Sequence, residues 1–132
     1  MSSIFSKIVS GDIPCYKIAE DSRFFAFLDI NPLAEGHTLV IPKQETDYLF
    51  DLDDELYKDL FLFSKKIALA IKKAIPCKKI GIAVVGLEVA HAHIHLVPLN
   101  GIYDIDFKKP KLSFSKEEFE QISSRIKQAL DV

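Results

Sequence analysis

Three of the chain's four histidines fall in His91-Ala92-His93-Ile94-His95, with Leu96-Val97-Pro98 directly after them. Imidazole titrates near neutrality, so the same ring can attack, donate a proton or accept one, depending on what holds its second nitrogen. Side chains of an extended segment alternate between faces. His91, His93 and His95 therefore share one face while Ala92, Ile94 and Leu96 take the other. Rings two residues apart on a strand stand roughly 6 to 7 Å from each other. That spacing can spread three imidazoles along a diphosphate or phosphoramidate. It also suits a transition-metal site, since histidine is a common ligand of zinc, copper and nickel. Strict alternation makes three unrelated surface histidines the poorer explanation. No acid lies within the triplet, and the nearest, Glu88, precedes it in a turn-like stretch.

Rings placed this way need a sheet and a layer packed against it. Residues 3 to 10 predict a short helix with Ile4, Phe5 and Ile8 on one side, stopped by Gly11 and Pro14. Residues 16–20 and 23–29 read as short strands, the second rich in aromatics through Phe24, Phe25 and Phe27. Asn31-Pro32 opens a loop that ends at Gly36-His37, and Thr38 to Ile41, closed by Pro42, reads as a buried strand. Asp51, Asp53, Asp54 and Glu55 announce the longest helix, because acids favour the positive end of the helix dipole and can cap its free amides. Leu56, Leu60, Phe63, Ile67, Ile71 and Ala74 then form an apolar stripe that Pro76 ends. Ile80 to Val85 and His91 to Val97 are two further strands, separated by Gly86-Leu87-Glu88. Tyr103 to Pro110 reads as a loop, and Ser115 with Glu118 is a capping-box pattern ahead of Phe119, Ile122, Ile126 and Ala129. Strands and helices mixed without βαβ alternation predict an α+β fold on a mainly antiparallel sheet.

The 132 residues fit one domain, 1–132, of a size that builds a core without a disulfide or metal staple. Apolar residues make up 48% and charged residues 27%, which excludes disordered, collagen-like and coiled-coil classes. A net charge of -2 argues against charge-driven binding to nucleic acid or an anionic membrane, so a phosphate ligand must be held locally. Cys15 and Cys77 are far apart and form no Cys-x-x-Cys pair, and no stretch of eighteen apolar residues or signal-like leader appears. A reducing, cytoplasmic setting is expected.

His91-Ala92-His93-Ile94-His95-Leu96-Val97 resembles the signature of the histidine triad superfamily of nucleotide hydrolases and transferases. Ile4-Phe5-Ser6-Lys7-Ile8, Ile13-Pro14, Phe27-Leu28-Asp29-Ile30-Asn31-Pro32 and Gly36-His37-Thr38-Leu39-Val40-Ile41-Pro42 extend the likeness to its Hint-like branch, which hydrolyses purine nucleoside phosphoramidates. The resemblance covers most of residues 3 to 98. It implies a histidine-triad fold with a sheet of about five strands, one long helix and shorter helices at each end. It further implies a metal-independent hydrolase without cofactor, which attacks the α-phosphorus of a purine nucleotide and releases a nucleoside monophosphate through a covalent nucleotidyl-histidine. Carried over residue by residue, His93 is the nucleophile, His95 contacts phosphate oxygens, and His91 with His37 forms a supporting relay. Asp29 binds the ribose hydroxyls, although the residues alone allow it to be a turn former before Asn31-Pro32. Ile4, Phe5, Ile8, Phe27, Leu28 and Ile30 line the base, where Phe5 and Phe27 on their own read as plain core. Gly86, Glu88 and Val89 lie beside the nucleotide. The family also implies a homodimer in which the residue 53–75 helices and sheet edges meet. Alternative readings are a dinucleoside polyphosphate hydrolase, a nucleotide-binding regulatory module with little turnover, and a metal-dependent enzyme.

Three departures matter. Ser3 and Ser6 stand where some relatives carry a zinc-binding Cys-x-x-Cys pair, so that zinc is not expected. The third histidine, which the transferase branch replaces by glutamine, is retained as His95 and favours hydrolysis. Val84-Val85-Gly86-Leu87-Glu88-Val89-Ala90 lacks the usual Gly-Gln-Ser, so Glu88 is either an exposed turn residue or, with a raised pKa, a proton donor to the leaving group. Residues 101–132 diverge from the family.

Overall fold

The computed structural model describes residues 2–130; the outermost positions of the expected 1–132 domain, Met1, Asp131 and Val132, lie outside them. Five strands form one antiparallel sheet in the order β1-β2-β3-β5-β4, with β1 Lys17–Glu20, β2 Phe24–Leu28, β3 Thr38–Pro42, β4 Lys79–Ala83 and β5 Ile94–Leu99. Helices α1 (Ile4–Ser10), α2 (Asp54–Ala74) and α3 (Lys116–Leu130), with a 3-10 turn at Leu49–Asp51, complete the fold. No described helix is long and apolar enough to cross a membrane. Cys15 and Cys77 are free thiols.

Each helix begins where its capping residues dictate. Asp53 accepts the amide of Leu56 at the start of α2, and Ser3 accepts that of Ser6 at the start of α1. Ser115 and Glu118 form the expected reciprocal box: the Ser115 amide donates to Glu118 Oε1 (2.8 Å) and the Glu118 amide to Ser115 Oγ (3.2 Å). Gly11, at φ 89°, ends α1 in a left-handed cap that a side chain would strain.

The centre of the sheet is covered on both faces. On one face Phe24, Ala26, Leu28, Val40, Ile94 and Leu96 pack against Leu60, Ile67 and Ile71 of α2 and Phe119, Ile122 and Ile126 of α3. On the other, Phe25, Phe27, Leu39 and Ile41 gather with Phe5 of α1. β2 and β3 are consequently buried at every position, which is how a strand covered on both sides reads as a continuous apolar run. Register sets Phe27 opposite Leu39 and Leu39 opposite His95. One row of side chains therefore joins Phe27, Leu39 and His95 across three neighbouring strands on the α1 face.

The ladder starts later than the triplet suggests. β5 begins at Ile94, so His91 and His93 precede it, and β4 ends at Ala83, leaving Val84 and Val85 in the following loop. The His91 amide turns back to the Val89 carbonyl (2.8 Å) and that of Ala92 bonds the Thr46 carbonyl (2.6 Å), in place of a ladder to β3. Face alternation persists, with Ala92, Ile94 and Leu96 all in the helix-side core. The even strand spacing does not: the His93 and His95 rings lie 4.9 Å apart, centroid to centroid.

Candidate active site

All four histidines are buried, from fully at His91 to 8% exposed at His95, and their partners fix which nitrogen carries the proton. His93 Nδ1 lies 2.8 Å from the His91 carbonyl. A carbonyl only accepts, so Nδ1–H donates, and in the neutral ring Nε2 carries the lone pair. His95 is arranged the opposite way. The Leu33 amide donates to His37 Nδ1 (3.0 Å), so His37 Nε2–H donates to His95 Nδ1 (3.0 Å) and leaves the proton of His95 on Nε2. Every buried side-chain nitrogen and oxygen among the described residues has a partner. The outward nitrogens of His93 and His95 have none, so they reach the open side of the site. Two neighbouring rings thus present a lone pair and a proton.

His91 is fixed on both sides. Nε2–H donates to the Pro42 carbonyl (2.7 Å), which leaves Nδ1 to accept from the Ser3 hydroxyl (2.7 Å). Burial holds its pKa below the usual imidazole value, with the His93 charge adding to the effect and the Pro42 carbonyl and Glu45 opposing it. Burial also pushes His37 down to about 3 and His95 to about 4, each further depressed by a neighbouring imidazole. Both are neutral near pH 7. The expected relay of His91 with His37 is accordingly two separate arms: His91 reaches His93 through a backbone carbonyl, and His37 reaches His95 through its ring.

Asp29 follows β2 and splits its carboxylate between two tasks. Oδ1 accepts the Asn31 amide (2.8 Å), closing the turn before Pro32, while Oδ2 lies 3.6 Å from His37 Nε2. That distance is beyond a hydrogen bond, and a neutral His37 makes it no ion pair. Burial raises the Asp29 pKa, partly offset by the Asn31 amide.

The apolar residues expected around the base divide. Phe5 and Phe27 stack edge-on (5.6 Å), and Phe5 also meets His91 (5.8 Å) and His93 (4.9 Å), with Ile8 and Val89 packed alongside. Ile4 and Ile30 are exposed. Leu28 is a correction: it lies in the core between sheet and α2, on the opposite face from the histidines. A strand places neighbours on opposite faces, so Phe27 and Leu28 cannot both face the site. Gly86, at φ 72°, turns the loop before the triad, and Glu88 is exposed there, its charge acting on Asp29. Leu39, Ile41 and Phe107, which carry no local signal in the sequence, also stand on this side of the sheet. Leu39 and Ile41 are found only by strand register. Phe107 comes from the divergent C-terminal segment and packs edge-on against His95 (4.8 Å) and His37 (6.4 Å).

Asp29, His37 and His95 bring one ligand-type atom each within 4.8 Å of one another, but both nitrogens of His37 are committed to hydrogen bonds. Ser3 and Ser6 offer hydroxyls where a structural zinc would need thiolates. Neither set fits a resident metal as it stands.

Sheet and site define a small α+β protein organised around an imidazole cluster. The description "HIT domain" matches residues 10–102, and the chain belongs to that family, whose members act on nucleotides. It is 39% identical over 137 residues to adenosine 5'-monophosphoramidase hnt1 of Schizosaccharomyces pombe, covering 96% of this chain and 100% of that protein. Among solved structures it resembles a Hit-like protein involved in cell-cycle regulation from Bartonella henselae, with TM-score 0.83 and 32% identity over 97% of this chain and 96% of that one. A zinc-bound histidine triad family protein from Mycobacterium smegmatis matches with TM-score 0.81 and 32% identity, over 99% and 94%.

Proposed function

We propose that the protein hydrolyses purine nucleoside phosphoramidates to the nucleoside monophosphate, with His93 as nucleophile and no metal in the reaction. The single observation that carries this reading is the opposed protonation of the outward nitrogens of His93 and His95. His93 Nε2 forms a bond to the α-phosphorus while the P–N bond breaks, the nitrogen taking a proton from solvent on the open side and leaving as the neutral amine. His95 Nε2–H donates to a non-bridging phosphate oxygen, where charge stabilisation is worth most. Water then adds to phosphorus, the His93–P bond breaks, and the monophosphate leaves with the imidazole restored. A neutral imidazole whose other nitrogen is held by an acceptor is a competent nucleophile, because tautomer and direction are both set beforehand.

Asp29 is the ribose clamp in this reading: with Oδ1 engaged by the Asn31 amide, Oδ2 remains for the sugar hydroxyls. The base lies against Phe5, Phe27, Ile8 and Val89, with Ile4 and Ile30 at the rim. Glu88 and Gly86 border the leaving-group side. The phosphoramidase name of the yeast relative supports the substrate class. The same reading includes a cytoplasmic homodimer. Leu62 and Leu69 of α2, Ile82 and Val85 are exposed apolar residues, and β4 is an edge strand; a light-scattering mass of one chain would reject the dimer.

The test is incubation with adenosine 5'-phosphoramidate and chromatography of the AMP formed, beside His93→Ala. Turnover by the wild type, lost in the variant and unchanged by a chelator, is expected. Undiminished turnover in the variant rejects the mechanism, and loss on chelation rejects metal independence. Faster cleavage of a diadenosine polyphosphate would shift the substrate class. Calorimetric AMP binding without cleavage of either substrate would reduce the protein to a nucleotide-binding module.

A further inference from the structure

Ser3, Ser6 and Glu45 have no part in the proposed reaction, yet they meet behind His91. Glu45 sits in the loop after β3, far from α1 in sequence. Its Oε1 accepts the Ser3 amide (2.6 Å) and the Ser6 hydroxyl (2.7 Å). These bonds hold its carboxyl below the usual range. The Ser3 hydroxyl accepts the Ser6 amide (3.0 Å), and its own proton goes to His91 Nδ1 (2.7 Å). From His91 the path continues through two more hydrogen bonds already described, to the Pro42 carbonyl and from His93 Nδ1.

We propose that Ser3 and Glu45 are positioning residues for His93, forming with Ser6 a hydrogen-bonded clamp that locks the His91 ring and, through the His91 carbonyl, the direction of the attacking nitrogen. The inference rests on the reading of His93 as nucleophile. His91 Nε2 faces a carbonyl, so its Nδ1 must be an acceptor when the ring is neutral. The Ser3 hydroxyl is the donor it has, and the ring is fully buried, so water cannot readily take that place. Without the hydroxyl, the ring gains by rotating or changing tautomer, and either change moves the carbonyl that aims His93. Glu45 acts one step further back by fixing where Ser3 stands. The same clamp seats the first turn of α1 and so presses Phe5 onto His91 and His93. A carboxylate bound by an amide and a hydroxyl is well suited to this, since charged acceptors make the stronger hydrogen bonds.

The experiment compares wild type, Ser3→Ala, Ser3→Thr, Glu45→Gln and Glu45→Ala by steady-state kinetics on adenosine 5'-phosphoramidate and by 15N NMR of the histidine rings. Ser3→Ala is expected to lower kcat roughly tenfold or more with KM within about twofold, because orientation and not binding is lost. It is also expected to shift the His91 ring signals. Ser3→Thr, which keeps the hydroxyl, restores both. Glu45→Gln keeps an accepting oxygen without the charge and loses less kcat than Glu45→Ala, which falls between the serine variants. Folding is monitored by the melting temperature, and all kinetics are run well below the lowest one. Unchanged kcat together with unchanged His91 signals in Ser3→Ala overturns the clamp, as does a Ser3→Thr variant as impaired as Ser3→Ala. If the wild type itself fails to cleave the phosphoramidate, the functional reading fails, and the ring signals of Ser3→Ala against Ser3→Thr still decide whether the clamp exists.

Discussion

The two arms of the histidine cluster use one residue type to opposite ends. In the His91–His93 arm the link is a backbone carbonyl, which accepts only, so the ring it holds turns a lone pair outward. In the His37–His95 arm the link is a second ring, itself oriented by the Leu33 amide, so the ring it holds turns a proton outward. The second arm lies under Phe107, and burial pushes its two rings down to about 3 and about 4. An imidazole's role is thus set by the partner behind it, and that partner is invisible in the motif.

The comparison is broken most severely at His93. His93→Ala should cut turnover at least about a thousandfold while AMP binding persists, because a nucleophile has no substitute at that position. The largest effect on the fold comes from the other face of the sheet: Leu28→Ala should destabilise by about 2–5 kcal/mol, measured by denaturant unfolding, with KM unchanged. A raised KM without loss of stability would return Leu28 to the base slot. His95→Asn should lower kcat roughly a hundredfold with AMP binding retained, as expected when a hydrogen bond that stabilises charge in the transition state is lost. Asp29→Asn should raise KM roughly tenfold, and a substrate lacking both ribose hydroxyls should erase the difference between variant and wild type.

The gentlest perturbation is pH. His37 and His95 fold with pKa values of about 3 and about 4, against 6.5 for the free ring. The unfolded chain therefore binds more protons as pH falls, so the stability these rings confer is fully present above 6.5 and declines as pH drops toward 4 and then 3. Asp29, raised by burial, works with the opposite sign: where its folded form is still protonated and the unfolded carboxyl is ionised, rising pH lowers stability. Denaturant midpoints of wild type and His37→Phe across this range test the arm, and a parallel pH dependence in the two proteins would contradict it.

Much of this was legible in the residues. Capping signals and apolar periods placed the three α-helices to within a residue or two, and the triplet's alternation correctly separated the histidines from Ala92, Ile94 and Leu96. What stayed hidden is non-local. Phe24 to Leu28 is apolar on both faces because both are covered, so alternation could not tell Phe27 from Leu28. The row joining Phe27, Leu39 and His95 depends on register between strands far apart in sequence. The early start assigned to the histidine strand failed because Thr46 takes the hydrogen bond that a ladder partner would have taken. Glu45 and Phe107 act from loops whose destinations no local pattern specifies.

The central claim, that His93 and His95 present opposite tautomers to the open site, is read most directly by long-range 1H–15N correlation spectra of the histidine rings near neutral pH. An unprotonated Nε2 on His93 and a protonated Nε2 on His95 are expected in the same sample. The same tautomer on both rings, or the reverse pair, would contradict it.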